Sequence, residues 1–306
     1  MIEFNHLTKT YNGINAVDNL SLVIRSGDVY GLLGPNGAGK STTILMLCGL
    51  IQPTSGECLI NGVEVSKNPI DVKRIIGYMP EDVGFYANLT AAQNLHFFGR
   101  LYGMPEKERE ERIASLLRLV GLGGVEKKVG GFSKGMRQRL GIAKTLINDP
   151  EVIILDEPTA NLDPPGVADY RNIIRQISDS GKTVLVSSHI LSEVSKVCTK
   201  IGIMHNGRLI HEGQWQDFAE SVNAMHLPEM KINVETTSPM PDLKNPGIIR
   251  AEYAPGRRRA KIVASSDIRA ELSEELFSHS IIPKEMALDA TTVEDAILSF
   301  YHDQEA

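Results

Sequence analysis

Little in this chain is available for covalent staples or for membrane insertion. Cysteine is scarce: Cys48, Cys58 and Cys198 are the only three in 306 residues, far apart and without a CxxC pair. That excludes a disulfide framework and a cysteine-rich zinc site, and the expected compartment is the reducing cytoplasm. No run of roughly 18 apolar residues occurs, and Met1-Ile2-Glu3-Phe4-Asn5-His6 is not a basic stretch leading into an apolar one, so no membrane span is expected. A basic excess is missing too. With 32 Lys+Arg against 38 Asp+Glu and a net charge of −6, no nucleic-acid surface is implied. Internal repeats and low-complexity tracts are also lacking. What remains, 42% hydrophobic and 23% charged residues, suits one large globular domain and a smaller one.

Residues 1–33 alternate like antiparallel strands, with turns at Asn12-Gly13 and Ser26-Gly27-Asp28. Short strands around Thr54-Ser55-Gly56 and Asn61-Gly62 are expected to continue this β-rich lobe through residues 53–80. Thr90-Ala91-Ala92-Gln93 has the capping-box form, and Leu95, Phe98, Leu101 and Tyr102 carry the apolar spacing of a helix starting there. A second helix is predicted from Pro105 to Val120, with Gly121 as its stop. Val152–Leu155 and Thr183–Ser187 read as parallel strands buried on both faces, which makes the main body α/β. After a break near Trp215 to Leu227, a Pro-rich segment and a separate strand and helix pattern predict a small α+β appendage over residues 228–306.

Gly34-Pro35-Asn36-Gly37-Ala38-Gly39-Lys40-Ser41 matches the phosphate-cradling pattern GxxxxGK followed by Ser or Thr. Glycines let backbone N–H groups approach phosphate oxygens, Lys40 reaches the β- and γ-phosphates, and the Ser41 hydroxyl suits Mg²⁺ at a helix N-terminus. The apolar runs on either side, Val29–Leu33 and Thr42–Leu47, read as the strand and helix this loop requires. Val152–Leu155 ends in Asp156-Glu157; Asp156 is the candidate metal ligand and Glu157 the candidate general base. His189 follows a second buried strand and is placed to reach the γ-phosphate at the sheet's carboxyl edge.

Gly131-Phe132-Ser133-Lys134-Gly135-Met136-Arg137-Gln138-Arg139 resembles the LSGGQ signature of ATP-binding-cassette (ABC) ATPases, and it stands shortly before Asp156-Glu157 as in that family. Tyr11 resembles the adenine-stacking aromatic, Glu81 falls at the Q-loop position, Asn161-Leu162-Asp163 resembles the D-loop and His189 the switch histidine. The resemblance covers about residues 1–215 and implies a P-loop NTPase cassette. Its parts are an N-terminal antiparallel β lobe and a helical signature subdomain over about 82–145; a linker at 216–227 and the α+β appendage follow it. It further implies ATP on Tyr11, Gly34, Pro35, Asn36, Gly37, Ala38, Gly39, Lys40, Ser41 and Thr42, and Mg²⁺ on Ser41, Asp156 and Glu81. Catalysis falls to Glu157, His189 and Glu81. Two departures stand out. The signature keeps Ser133 and Gly135 but lacks the family's glutamine, and Glu81 replaces the usual Q-loop glutamine.

The surrounding segments Tyr78-Met79-Pro80-Glu81, Leu101-Tyr102-Gly103 and Thr292-Val293-Glu294-Asp295-Ala296-Ile297 resemble the branch that serves ABC-2-type exporters of drugs, antibiotics, polysaccharides or lipids. With one phosphate loop and one signature, the chain is expected to act as a dimer, Ser133 and Gly135 reaching the partner's ATP and Asp163 lying at the dimer interface. Separate transmembrane permease subunits are the implied partners, with this chain peripheral on the cytoplasmic face of the cell membrane. Phe85 and Tyr86, in a Gly-containing loop, read as a groove for a short permease helix, while Phe98 and Tyr102 read as core. Arg257-Arg258-Arg259 reads as a solvated hairpin tip rather than a lipid-binding patch. A soluble ABC ATPase of assembly, repair or translation, and a regulatory module that holds ATP without turnover, stay open as alternatives.

Overall fold

In a computed structural model that describes residues 1–160, 162–190, 194, 196–218 and 230–289, the chain opens on a hairpin of β1 (Ile2–Tyr11) and β2 (Ile14–Ile24). Asn12 and Gly13 both take positive φ, 49° and 82°, as a two-residue primed turn requires. β4 (Ser55–Ile60) pairs with the other edge of β1 and β5 (Val63–Glu64) with β4, giving an antiparallel sheet of order β2-β1-β4-β5.

The second sheet collects β3 (Val29–Leu33), β6 (Ile76–Met79), β7 (Val152–Asp156), β8 (Thr183–Ser188), β9 (Lys200–His205) and β10 (Arg208–Gln214) in the order β10-β9-β3-β8-β7-β6. All pairings in it are parallel except that of β10 with β9. Every residue of β3, β7 and β8 is buried, the signature of strands covered on both faces. Ile2, Phe4, Leu20 and Ile24 of the first sheet share one core with Tyr30, Leu32, Ile154 and Leu185 of the second, and Ile44 and Leu47 of helix α1 (Lys40–Leu47) belong to the same cluster.

Three helices form the lobe between β6 and β7: α3 (Ala91–Leu101), α4 (Glu106–Leu119) and α5 (Lys134–Thr145). The capping box at α3 is present in full, with Gln93 N donating to Thr90 Oγ1 at 3.2 Å and Thr90 N to Gln93 Oε1 at 2.9 Å. Gly121, at φ 64°, follows α4 where the sequence places its stop. The stretch expected to hold only short strands also contains a helix, α2 (Pro69–Ile75). Its start signal is Pro69 in the first turn, where a missing N–H costs nothing. Helix α6 (Pro164–Asp179) follows the acidic strand and is capped by Asp163, whose Oδ1 accepts from Gly166 N at 3.1 Å.

These elements make up one compact unit, Met1–Trp215, and a second begins at Gln216. In that second unit β11 (Met230–Thr236), β12 (Ile248–Tyr253), β13 (Arg259–Ala264) and β14 (Pro283–Asp289) form an antiparallel sheet of order β12-β13-β11-β14. Alternate residues Ile232, Val234, Ala260 and Ile262 share a core with Leu272 and Leu276 of α7 (Arg269–Ser278). Arg257 binds Met240 O and Asp242 and lies over the Tyr253 ring, and Arg259 pairs with Glu235 at 2.8 Å, so two of the three hairpin arginines are held within the unit. Asn161 and Thr292-Val293-Glu294-Asp295-Ala296-Ile297, singled out in the sequence, lie outside the described residues, as do 219–227 of the expected linker. Among the described residues no helix is long and apolar enough to cross a membrane.

Candidate active site

Parallel neighbours in a sheet end at the same edge. Because β3, β8 and β7 are adjacent, the loop after β3, the residues after β8 and the acidic pair at the end of β7 converge there. The loop after β3 turns through Gly37 at φ 83° and Gly39 at φ 103°. A Cβ on Gly39 would stand 2.4 Å from Ala16 O, whereas one on Gly37 would meet no atom within 4 Å. Gly39 is therefore needed for close packing, and Gly37 leaves open space beside the backbone. No side chain caps α1 at Gly39, so the N–H groups of its first turn face whatever the loop holds.

Lys40, 5% exposed, donates from Nζ to Gly34 O at 2.6 Å and Pro35 O at 3.1 Å, and lies 3.4 Å from Glu157 Oε1. Its three donors are thereby pointed across the loop. Ser41 Oγ donates to Asp156 Oδ1 at 3.3 Å. Glu157 sits in left-handed backbone at φ 47°, uncommon for a non-glycine residue and costly unless its surroundings enforce it. Its Oε2 is 2.8 Å from His189 Nδ1 and accepts from His189 N at 3.4 Å. Lys40, Ser41, Asp156, Glu157 and His189 thus form one contiguous polar cluster at the sheet edge. Burial, helped by the charge of Asp156, also pushes the Cys48 thiol and the Tyr78 phenol well above their usual ranges, so both stay protonated beside the carboxylate. Burial likewise pushes Cys58 up to about 12.

A second group of the expected residues lies on the helical lobe. Ser133 caps α5 by accepting from Met136 N at 3.2 Å, and Gly135 stands beside Leu162, where an added Cβ would be 3.8 Å from the leucine Cδ2. A cavity of about 430 Å³ joins Ser133, Gly135, Gln138, Leu162, Asp163 and Gly166. Among the described residues no hydrogen bond or ion pair links Ser133 or Gly135 to the Gly34–Ser41 loop.

Glu81 is exposed two residues beyond β6 and makes no hydrogen bond or ion pair among the described residues, so the structure does not join it to the cluster. Tyr11, 47% exposed, ends β1 with Lys9 Nζ 5.1 Å from its ring centroid. Pro35 is half-buried, Asn36 and Gly37 exposed, Ala38 buried and Thr42 half-buried on α1. On the helical lobe Tyr86 packs edge-on against Phe97 and Phe97 against Phe98, with Lys144 Nζ 4.6 Å over Phe98. Tyr86 and Phe97 remain exposed, and so does Tyr102 at 47%, contrary to its expected place in the core. Tyr102 follows the last residue of α3, past the turns that pack on α4 and α5.

Two further residues belong to the site and were not singled out from the sequence. Ser187, wholly buried one residue before the end of β8, donates from Oγ to Asp156 Oδ1 at 2.5 Å and accepts from Glu157 N at 3.0 Å. Gln138 of α5, also buried, donates from Nε2 to Pro158 O at 3.0 Å, joining the helical lobe to the turn after the acidic pair. The available signal for Ser187 was the first of two hydroxyls that follow the apolar run Val184–Val186 in a buried strand.

Comparison with known proteins identifies similar chains and structures. The ABC transporter family model matches residues 17–160. The bacitracin transport ATP-binding protein BcrA of Bacillus licheniformis is 46% identical over 69% of this chain and 69% of its own length. NatA of Bacillus subtilis, an ABC transporter ATP-binding protein, is 41% identical over 70% of this chain and 88% of its own. The linearmycin resistance ATP-binding protein LnrL of the same organism is 35% identical over 76% and 75%. Among solved structures, an ATP-binding subunit of an ABC transporter aligns with TM-score 0.66 at 32% identity, covering 73% of this chain and 93% of that one. The dimeric post-hydrolysis state of the cassette MJ0796 bound to ADP and Pi aligns with TM-score 0.65 at 27% identity, covering 70% and 99%.

Proposed function

The chain belongs to the ABC transporter family as an ATP-binding, ATP-hydrolysing subunit, and from that premise we propose how its residues hydrolyse ATP and drive an exporter. The observation that carries the reading is the cluster of Lys40, Ser41, Asp156, Glu157 and His189 at one sheet edge.

The loop N–H groups and the first turn of α1 bind the phosphates, and Lys40 turns from the Gly34 and Pro35 carbonyls toward the β- and γ-oxygens. Glu157 accepts a proton from a water whose oxygen attacks Pγ; the bond from Pγ to the ADP oxygen breaks, and ADP and phosphate leave. His189, held against Glu157 Oε2 at 2.8 Å, orients that carboxylate and reaches the γ-phosphate. The Ser41 hydroxyl and Asp156 carboxylate, 3.3 Å apart, fit Mg²⁺, a hard ion that needs few protein oxygens once phosphates and water complete its shell. Ser41 and Asp156 would hold it, and it would supply neutralising charge to the transferring phosphoryl group. Glu81, at the edge next to β7, acts as the sensor of that region, and Tyr11 stacks on the adenine.

Ser133, Gly135 and Asp163 line a cavity not bonded to their own phosphate loop, which supports their service to a partner's nucleotide in a dimer. ATP then lies in an interface, its charged contacts close the dimer, and hydrolysis loosens it. Tyr86 and Phe97, exposed and packed edge-on against each other, with Phe97 resting in turn on Phe98, give a permease helix an aromatic platform. BcrA and LnrL are named for bacitracin transport and linearmycin resistance, which supports export of a drug or antibiotic through separate transmembrane permease subunits, with this chain peripheral at the cytoplasmic face.

Size-exclusion chromatography with light scattering on Glu157→Gln, with and without ATP and Mg²⁺, tests this reading. We expect a dimer that depends on ATP and a rate of phosphate release reduced by about 10²- to 10⁴-fold, the usual worth of a general base. Wild-type turnover in that variant removes Glu157 as the base. A monomer that still binds ATP directs the search to a different partner cassette.

A further inference from the structure

Glu157 bears two burdens in this site: a strained left-handed backbone at φ 47° and a carboxylate that must point at a reacting water. Something rigid has to hold it. The register of the sheet pairs Asp156 with Ser187 across β7 and β8, and the Ser187 hydroxyl there serves two masters at once. It donates to Asp156 Oδ1 at 2.5 Å and accepts from Glu157 N at 3.0 Å, and the side chain is wholly buried. Asp156 Oδ1 takes its other hydrogen bond from Ser41 Oγ at 3.3 Å. One hydroxyl thereby fixes the plane of the first carboxylate and the backbone from which the second projects. The neighbouring Ser188 does neither; its Oγ accepts from Ile190 N at 3.0 Å, a local turn contact.

Resting on the reading of Glu157 as base, we propose that Ser187 is a positioning residue for hydrolysis, clamping the two carboxylates in register through a single oxygen. Only a side chain that both donates and accepts at this point does the work. Alanine and valine can do neither, and a thiol is weak at both. Without the hydroxyl, Glu157 N becomes a buried donor without an acceptor, and its left-handed turn loses the contact that enforces it. Ser187 itself touches neither the phosphate loop nor the first turn of α1 and reaches Ser41 only through Asp156, so the effect falls on turnover far more than on affinity.

The experiment compares Ser187→Ala, Ser187→Cys and Ser187→Thr with the wild type in phosphate release, in binding of a fluorescent ATP analogue, and in hydrogen exchange of the 152–160 segment. Thr183→Ala serves as control, since Thr183 is a buried hydroxyl at the opposite end of β8 that accepts from Gly27 N at 3.1 Å. We expect kcat to fall about 10- to 100-fold in Ser187→Ala and Ser187→Cys, the range for loss of a hydrogen bond to a charged group, with nucleotide affinity changed less than about threefold. Threonine should restore most of the rate. Exchange of the Glu157 amide should quicken in the alanine and cysteine variants and stay slow in Thr183→Ala. Should alanine leave the protein unfolded, the near-isosteric cysteine carries the test. Wild-type turnover by Ser187→Cys while Glu157→Gln is inactive overturns the role of Ser187 and leaves the base in place; wild-type turnover by both removes the reading of the site itself. A rate lost together with nucleotide affinity, or lost equally in Thr183→Ala, reduces Ser187 to a fold-maintaining residue and also overturns the proposal.

Discussion

Replacing Gly37 and Gly39 by alanine, one at a time, separates what the phosphate loop needs in order to fold from what it needs in order to bind. Both glycines have positive φ, 83° and 103°, so either alanine bears a left-handed penalty of about 1–2 kcal/mol, partly offset by a stiffer unfolded chain. There the likeness ends. The new methyl at 39 would sit 2.4 Å from Ala16 O and 3.2 Å from Met204 Cε, and a backbone oxygen cannot step aside without moving its strand. Overpacking of that kind adds about 1–3 kcal/mol, for a total near 3 kcal/mol. At position 37 no atom lies within 4 Å and the cost stays near 1 kcal/mol. For a unit of this size those figures correspond to drops in Tm of about 10 °C and about 3 °C. Nucleotide affinity should sort differently. The methyl at 37 occupies the open space beside the loop where phosphate must come, and losing a charge-assisted backbone contact costs about 10- to 100-fold in Kd. Thermal unfolding monitored by circular dichroism and titration with a fluorescent ATP analogue measure both. An alanine at 37 that binds with wild-type affinity would mean that the phosphates do not lie over that residue. Equal stability of the two variants would remove the packing argument at 39.

Lys40→Ala should abolish nucleotide binding and destabilise the first unit by about 3 kcal/mol, because Glu157 Oε1 loses a buried cationic neighbour while His189 still contacts the other oxygen; denaturant titration and nucleotide titration check both, and unchanged affinity refutes the assignment of Lys40. Glu81→Gln alters an exposed side chain with no hydrogen bond or ion pair among the described residues, so stability should stay within about 0.5 kcal/mol of the wild type. Its turnover, or the response of turnover to the permease, should change; identical kinetics with and without permease would make the carboxylate at this position neutral.

Local chemistry that repeats in the sequence was legible there. The loop of Gly34 to Ser41 announces itself through glycine spacing, and β7 and β8 through uninterrupted apolar runs. The capping box at Thr90 and Gln93 is present in full because both partners lie within one turn. What escaped depends on strand order. Nothing in the run Thr183-Val184-Leu185-Val186-Ser187 tells that its last hydroxyl faces Asp156, since that requires β8 to lie between β3 and β7. Gln138 escaped because its acceptor, Pro158 O, is 20 positions away in the turn after β7, and only the packing of α5 beside that turn brings them together. Tyr102 was misjudged because helical spacing places a residue on a face without saying that the face continues past the helix end. Helix α2 was missed because a two-turn helix has too short a pattern to compete with the strand signals around it, leaving only Pro69 to mark it.

The hydrogen bond from Gln138 to Pro158 also has a mechanical meaning. It ties the turn after Glu157 to the fifth of the 12 residues of α5, about 6 Å along a helix that extends about 18 Å. The anchored carbonyl belongs to the residue that directly follows the acidic pair, so the helical lobe and the carboxylates share one contact set away from either end of the helix. A displacement of the Pro158 turn is therefore felt along the body of α5, and a push on the lobe reaches the carboxylates through the same bond.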